Sequence, residues 1–271
     1  MAVPTEPRIQ SGRTLRTILY ALFDPRHYKA IKNILLFHTR PIEFVWRYAF
    51  GLGRYPSQQK IRVRGGELNL QAYSWHDILT INEIIFRGDY TVSGGETTIV
   101  DFGSNIGISA AFFLLASPKS FCYLFEPLPI NIQRLKRNLA GFERRYKLEE
   151  KAVSLVDGED VFGYEETGRY GGIGVSTGSY IRVPCLSAVG ILDEIIGRHG
   201  SIDILKIDIE ALESEILRSI PEKLLVKIKR IFVEFYFAIN PLAVTHNYIQ
   251  YGSVAQFYLK ENPRAKQLTG L

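Results

Sequence analysis

Thr97–Leu115, TTIVDFGSNIGISAAFFLL, is the stretch that decides the reading of this chain. A short β-branched apolar run ends at Val100. Asp101, Phe102 and a turn, Gly103-Ser104-Asn105-Ile106-Gly107, follow, and an apolar run begins at Ile108. The pattern predicts strand, tight turn, helix. Gly103 can adopt a positive φ at little steric cost. Gly107 lets the new helix lie close to the strand and to a ligand, and the unpaired N–H groups of the helix start face a crevice.

A dinucleotide fingerprint reads G-x-G-x-x-G. The spacing here is D-x-G-x-x-x-G, with Asn105 inside the turn. A carboxylate at Asp101 would repel a pyrophosphate, but it suits an ammonium group, met directly or through water. S-adenosylmethionine carries an α-amino group and a sulfonium and no phosphate, so the turn favours it over NAD. Two glycines are equally compatible with an ordinary βα unit, so the surrounding chain has to supply the rest.

The 271 residues, 46% hydrophobic and 23% charged, describe a globular chain with a substantial core. Cys122 and Cys185 are the two cysteines. They lie far apart in apolar runs, which argues against a disulfide framework or zinc site and for a reducing, cytoplasmic setting. Residues 1–12 show no secretory h-region, and no run approaches the ~20 apolar residues of a spanning helix. The net charge of +5 is uneven: residues 1–64 hold 12 Lys/Arg against Glu6, Asp24 and Glu43. The basic character therefore belongs to the N-terminal part. Three amphipathic stretches there, 14–23, 27–38 and 42–52, read as a helical cap or as peripheral contact with an anionic membrane. Nucleic acid is disfavoured, since no groove-reading motif is present.

Lys60–Ser74 alternates around Gly65-Gly66, a hairpin signal, and Trp75–Phe86 reads as a short helix. These observations set an extension, 1–95, ahead of a catalytic domain, 96–271. Beyond the central turn, Ser120–Phe125 is a buried strand ending at Glu126, where a carboxylate can accept hydrogen bonds from both ribose hydroxyls. Asn131, early in the helix Pro129–Leu139, looks back at the crevice. Tyr146–Leu155 is a third strand. The glycine-rich stretch through Tyr180, including 168–178, reads as a mobile excursion or lid. Ser187 caps a helix through Ile196. Ile202–Ile209 is a fourth core strand, and strand alternation places Lys206, Asp208 and Glu210 on one side. Lys229–Phe237, carrying Glu234, is a fifth, and two apolar segments at 247–250 and 254–259 complete an antiparallel edge. The succession predicts an α/β fold, a doubly wound, mostly parallel seven-stranded Rossmann-like sheet with one reversed strand. None of the five histidines lies in a site motif, although His76 and His246 are within reach of the crevice.

VDFGSNIG at 100–107, FEPLPINIQRLKRNL at 125–139, AVS at 152–154 and ILKIDIEALE at 204–213, in this order and with Glu234, resemble the FkbM-like family of S-adenosylmethionine-dependent methyltransferases. The resemblance covers roughly 85–240 and implies a cofactor turn at Asp101, Gly103, Asn105 and Gly107. It implies a ribose carboxylate at Glu126 and acidic substrate-side positions at Asp208, Glu210 and Glu234. Ala211 stands where the family usually has glycine. The implied reaction is O-methylation of a small-molecule or glycan acceptor: a sugar, glycolipid or secondary-metabolite hydroxyl. Asp208 is the first choice for base or substrate orienter, with Glu210 or Glu234 sharing that task. Ligation of a divalent cation by these carboxylates, magnesium rather than zinc, is the open variant. The rival readings are a nucleotide-dependent oxidoreductase and a non-catalytic cofactor-binding protein docked to a membrane.

Overall fold

The computed structural model describes residues 25–63 and 65–260. The helical expectation for 14–23 lies outside the described residues. The chain forms two compact units. One comprises the described residues up to Gly95 together with 106–118 and 133–143; the other comprises 96–105, 119–132 and the described residues from 144 onward.

In the first unit, α1 (Pro25–Phe37) and α2 (Pro41–Phe50) each open on a proline. A first-turn proline forfeits no helical hydrogen bond. Gly51, at φ 68°, closes α2 and donates its N–H to the Arg47 carbonyl. β1 (Ser57–Val63) and β2 (Gly66–Ala72) pair antiparallel as the hairpin pattern predicts. α3 (Trp75–Ile81) begins with a capping box between Ser74 and Asp77. It then widens into a π-helical turn over Asn82–Arg87, where the sequence suggested one uniform helix. Phe44 and Phe86 meet edge-on at 5.0 Å, with the His38 ring 4.9 Å from Phe44, and fill the interior of this part. α4 (Ile108–Ala116) belongs to the same unit: a Cβ on Gly65 would stand 2.4 Å from the Leu115 carbonyl oxygen.

The second unit holds a seven-stranded sheet: β3 (Thr98–Phe102), β4 (Phe121–Phe125), β5 (Tyr146–Glu149), β10 (Ile202–Ile207), β11 (Ile228–Val233), β12 (His246–Tyr251) and β13 (Val254–Leu259). Their order is β12-β13-β11-β10-β3-β4-β5. The four pairs from β11 to β5 are parallel, and β13 runs antiparallel to both β11 and β12. All of β3 and β10 is buried, which explains why they read as near-continuous apolar runs rather than alternating ones. The starts of these strands are pinned by Asp203, which accepts from the Thr97 and Thr98 amides at 2.7 and 3.0 Å and pairs with Lys229 at 2.6 Å. Burial acts to raise the Asp203 pKa, but Lys229 and these donors hold it down at about 2.

Two sequence expectations change here. The run Tyr146–Leu155 is not one strand: the chain leaves the large sheet at Glu149. Ala152–Ser154 forms β6 in a second, four-stranded sheet with β7 (Gly158–Tyr164), β8 (Gly171–Ile173) and β9 (Ser179–Ser187), order β6-β9-β7-β8. The glycine-rich excursion is therefore anchored by three paired strands, with 165–170 and 174–178 as the connections between them. Gly163 is required there because a Cβ would fall 2.1 Å from the Val175 carbonyl oxygen. α5 (Pro129–Asn138), α6 (Ala188–His199), α7 (Glu213–Ser219) and α8 (Glu222–Leu225) complete the elements. Ser187 caps α6 by accepting from the Gly190 amide. Cys122 and Cys185 are free and buried. No helix among the described residues is long and apolar enough to cross a membrane.

Candidate active site

The carboxyl ends of β3, β4 and β10 are where an open α/β sheet binds ligands, and a cleft opens there within the second unit. Gly103, Asn105, Glu126, Asn131, Asp208 and Glu210 line it, together with residues of the four-stranded sheet and its connections, among them Lys151, Phe162, Arg169 and Ile173.

The turn after β3 is fixed by main-chain hydrogen bonds. The Gly103 and Ser104 amides both donate to the Phe125 carbonyl at 3.2 and 3.0 Å, and Ser104 Oγ donates to the Asp101 carbonyl at 2.9 Å. Gly103 sits at φ 77°, and a Cβ there would lie 1.7 Å from the Asp208 carbonyl oxygen. This position must be glycine on two counts, conformation and the approach of the β10 end. Asn105 adopts φ 46°, a conformation Asn tolerates better than most residues. Gly107 fills a different role from the one expected. It caps α4 at φ 81° and does not line the cleft; a Cβ on it would press on Leu135 and Leu139, so its absence serves helix packing.

Glu126 is buried. Its Oε2 accepts from the Asn105 amide at 2.9 Å and its Oε1 from the Leu128 amide at 3.0 Å, with Asn131 Nδ2 at 3.4 Å. Burial pushes its carboxyl up to about 7, against the pull of these donors and of Lys206. A carboxylate offers about four acceptor directions, so Oε2 retains one for a ligand hydroxyl. Asn131 Nδ2 also donates to the Gly168 carbonyl at 2.8 Å, which ties α5 to the β7–β8 connection. Its Oδ1 is buried without a partner. An unpaired buried carbonyl costs free energy, and a donor on a bound molecule would relieve it.

Asp101 is fully buried and does not face the cleft. Its carboxylate takes an ion pair from Lys206 Nζ at 3.0 Å, the same ammonium that reaches Asp208 Oδ2 at 3.1 Å and the Gly103 carbonyl at 2.9 Å. Sequence reasoning gave Asp101 to a ligand's ammonium group; the protein supplies that ammonium itself. Lys206 is held charged by the two carboxylates despite its burial.

Beyond Ile207 the chain departs from strand geometry. Glu210 and Ala211 adopt φ 59° and 76°, so the alternation expected to align Lys206, Asp208 and Glu210 does not extend to Glu210. Asp208 and Glu210 nevertheless both line the cleft. Burial, then the Asp208 and Glu213 carboxylates, raise Glu210 to about 7, while Arg169 and Lys206 pull the other way. Glu213 is nearly buried and accepts from the Ile209 amide at 3.2 Å, closing the turn into α7. Glu234 is exposed and not part of the cleft lining; its amide donates to the Ile207 carbonyl at the β10 end. His246 is buried against Thr245 and the Ile228 carbonyl, and neither it nor His76 lines the cleft.

The donor set does not assemble a magnesium site. Lys206 engages Asp208, Glu234 stands apart, and among the described residues no cluster of three or more His, Cys, Asp or Glu is spaced to hold a metal ion. The groups fit S-adenosylmethionine better. An acceptor oxygen at Glu126, an unpaired buried carbonyl at Asn131 and a glycine-lined corner suit hydroxyl and amine donors. Lys151 and Arg169 escaped sequence reasoning: Lys151 lies in the break between β5 and β6, which reads in sequence as one continuous strand, and Arg169 in the β7–β8 connection, which offers no motif.

Residues 101–252 match the methyltransferase FkbM domain. The AMB antimetabolite synthetase AmbE of Pseudomonas aeruginosa is 24% identical over 212 residues, which is 65% of this chain; the chain spans about 10% of that relative's length. Among solved structures, the fibrillarin pre-rRNA processing protein of Methanococcus jannaschii aligns with a TM-score of 0.41 at 12% identity, over 78% of this chain and 86% of that one. A methyltransferase from Geobacter sulfurreducens aligns with a TM-score of 0.36 at 15% identity, over 62% and 73%. The domain match, running from the acid at the tip of β3 through the paired edge strand β12, covers more than half of the sequence, and the chain belongs to the FkbM family of methyltransferases.

Proposed function

We propose that this protein transfers a methyl group from S-adenosylmethionine to a hydroxyl oxygen of a small-molecule or glycan acceptor. The observation that supports this most directly is that two carboxyls raised to about 7, Glu126 and Glu210, line one cleft at the strand ends. When bound, S-adenosylmethionine supplies an electrophilic methyl on a sulfonium. Glu126 receives the ribose hydroxyls, and Asn131 Oδ1 accepts from a neighbouring donor.

A hydroxyl is a weak nucleophile, and a base helps most when its pKa lies near the working pH. Glu210 meets that condition, so it takes the acceptor's proton as the oxygen–carbon bond forms. Asp208, tied to Lys206, is an orienting group rather than the base, which reverses the order suggested by sequence. The protein's contribution is alignment of oxygen, methyl carbon and sulfur, a source of ~7–11 kcal/mol of barrier lowering in well-oriented reactions.

Calorimetric titration with S-adenosylmethionine tests the binding site. Wild type binds, and Glu126→Ala and Asn131→Ala bind at least ~10-fold more weakly while melting as cooperatively as wild type. Equal affinity in all three would refute the assignment. For the chemistry, transfer of labelled methyl to pooled sugar, glycolipid and small hydroxyl acceptors should be lost in Glu210→Gln with cofactor affinity retained.

A further inference from the structure

The first unit carries a surface whose residues are not among those lining the cleft. Exposed apolar side chains are ordinary when scattered, but α1 and α2 concentrate them. Tyr28, Ile31 and Leu35 recur at i, i+3 and i+7 along α1 and are 59%, 43% and 58% exposed. Ala30 and Ile34, four residues apart on the inward side, are buried. On α2, Phe44 is the inward residue, while Ile42 and Trp46, one turn apart, are 72% and 52% exposed. The outward sides of two consecutive helices are thus apolar, the reverse of an amphipathic helix that serves only its own core.

Positive charge accompanies this apolar surface. Lys32 lies one position beyond Ile31 and is exposed. Beside α2 a second cleft is lined by Arg40, Arg47, Arg54 and Lys60, with Glu43 as its one acid. Glu43 is engaged by Arg47 at 2.9 Å and Arg40 at 3.6 Å, so the cleft keeps a positive excess. Arg54 is exposed, and the Arg40 side chain is 77% exposed. Residues 1–64 as a whole carry 12 Lys/Arg against three acids. A second copy of the chain would set like charges against each other across such a face, whereas a bilayer with anionic headgroups offers apolar depth and negative charge together.

We infer that the α1–α2 face docks the protein on an anionic lipid bilayer, with Ile42, Trp46 and the Tyr28–Ile31–Leu35 stripe entering the headgroup–acyl boundary and Lys32, Arg40 and Arg54 meeting lipid phosphates. The docking is peripheral and independent of the identity of the methyl acceptor. It keeps the protein at a membrane, where lipid-linked acceptors are locally concentrated.

Cosedimentation of the full chain with phosphatidylcholine vesicles, with and without phosphatidylglycerol, tests this. Wild type should bind the anionic vesicles, bind the zwitterionic ones weakly, and be released by added salt. Trp46 emission should shift to the blue on binding. Ile42→Asp with Trp46→Asp, and separately Arg40→Glu with Arg54→Glu, should each lower binding ~10-fold or more. Lys223→Glu with Lys227→Glu, exposed positions of the other unit, should leave it unchanged. All substituted positions are solvent-facing, and retained melting profiles confirm folding. Absent binding, equal binding to both vesicle types, or loss caused equally by the Lys223–Lys227 pair would overturn the inference. So would a self-association in sedimentation equilibrium that the Ile42–Trp46 variant abolishes.

Discussion

Two adjacent residues, Glu210 and Ala211, occupy the left-handed region at φ 59° and 76°, and a side chain there is strained. For Glu210 the strain has a use: it turns a carboxyl into the cleft beside Asp208, where burial and like charge bring it to about 7. For Ala211 no compensating contact is seen, only a methyl where glycine would be at ease. The left-handed penalty of ~1–2 kcal/mol, less the ~0.4–1 kcal/mol of unfolded-chain entropy that glycine adds, leaves Ala211→Gly more stable by roughly 0.5–1 kcal/mol. Urea unfolding should show a raised midpoint with an unchanged slope. At Glu210, a carbon-detected titration should place the carboxyl near 7 in wild type. Arg169→Ala removes a cation that favours the ionised form, so the value should move up, and the rising limb of the pH–rate profile should move up with it. A downward shift would mean that Arg169 is not directed at Glu210.

Among the elements, the end of β10 does the most to build the site. Lys206 joins the ends of β3 and β10 through Asp101, Asp208 and the Gly103 carbonyl while buried. Removing one member of such a pair strands the other charge, so Lys206→Met should destabilise by ~3–5 kcal/mol, and Asp101→Leu combined with Lys206→Met should recover a good part of that loss. Additive losses in the double variant would show the pair is not the coupling unit. These elements also mark what sequence could and could not disclose. β3, its turn, β4, β10 and the reversed strand β13 were legible because apolar period, glycine spacing and chain order all point the same way. The partner of Asp101 was not, since a lysine 105 residues away enters only when β3 and β10 pair in register, Asp101 opposite Lys206. The excursion after Asp157 escaped for a similar reason. Its strands gain their hydrogen bonds from one another across long separations, and glycine content alone reads as looseness. Glu234 was grouped with Asp208 because both follow core strands, yet Asp208 lines the cleft and Glu234 is outside its lining.

At the scale of the molecule, buried titrating groups set how stability responds to pH, and they oppose one another. Burial raises the carboxyls of Asp77 and Glu213 and brings Glu126 and Glu210 to about 7. Each such carboxyl binds more proton folded than unfolded, so its contribution is full below the unfolded pKa and is lost as pH rises through the folded one. His38 and His246, buried and lowered, work in the other direction: their contribution is present above the unfolded value and is lost as pH falls through the folded one. The contribution of Glu126 and Glu210, raised to about 7, is therefore lost as pH rises from about 5 to about 7. A bound ribose changes this balance. Its hydroxyls donate to Glu126 and favour the ionised form, so binding releases a proton and strengthens as pH rises through about 7. The rise in melting temperature given by saturating S-adenosylhomocysteine should therefore be larger at about pH 8 than at about pH 6. In Glu126→Gln, where no proton can be released, the two increments should converge, apart from what titration of the ligand's own amino group contributes. Calorimetry in buffers of different ionisation enthalpy should register the released proton in wild type alone. A ligand-induced gain that depends on pH equally in wild type and variant would take the ribose away from Glu126 and leave that carboxylate as a strut between Asn105 and Leu128.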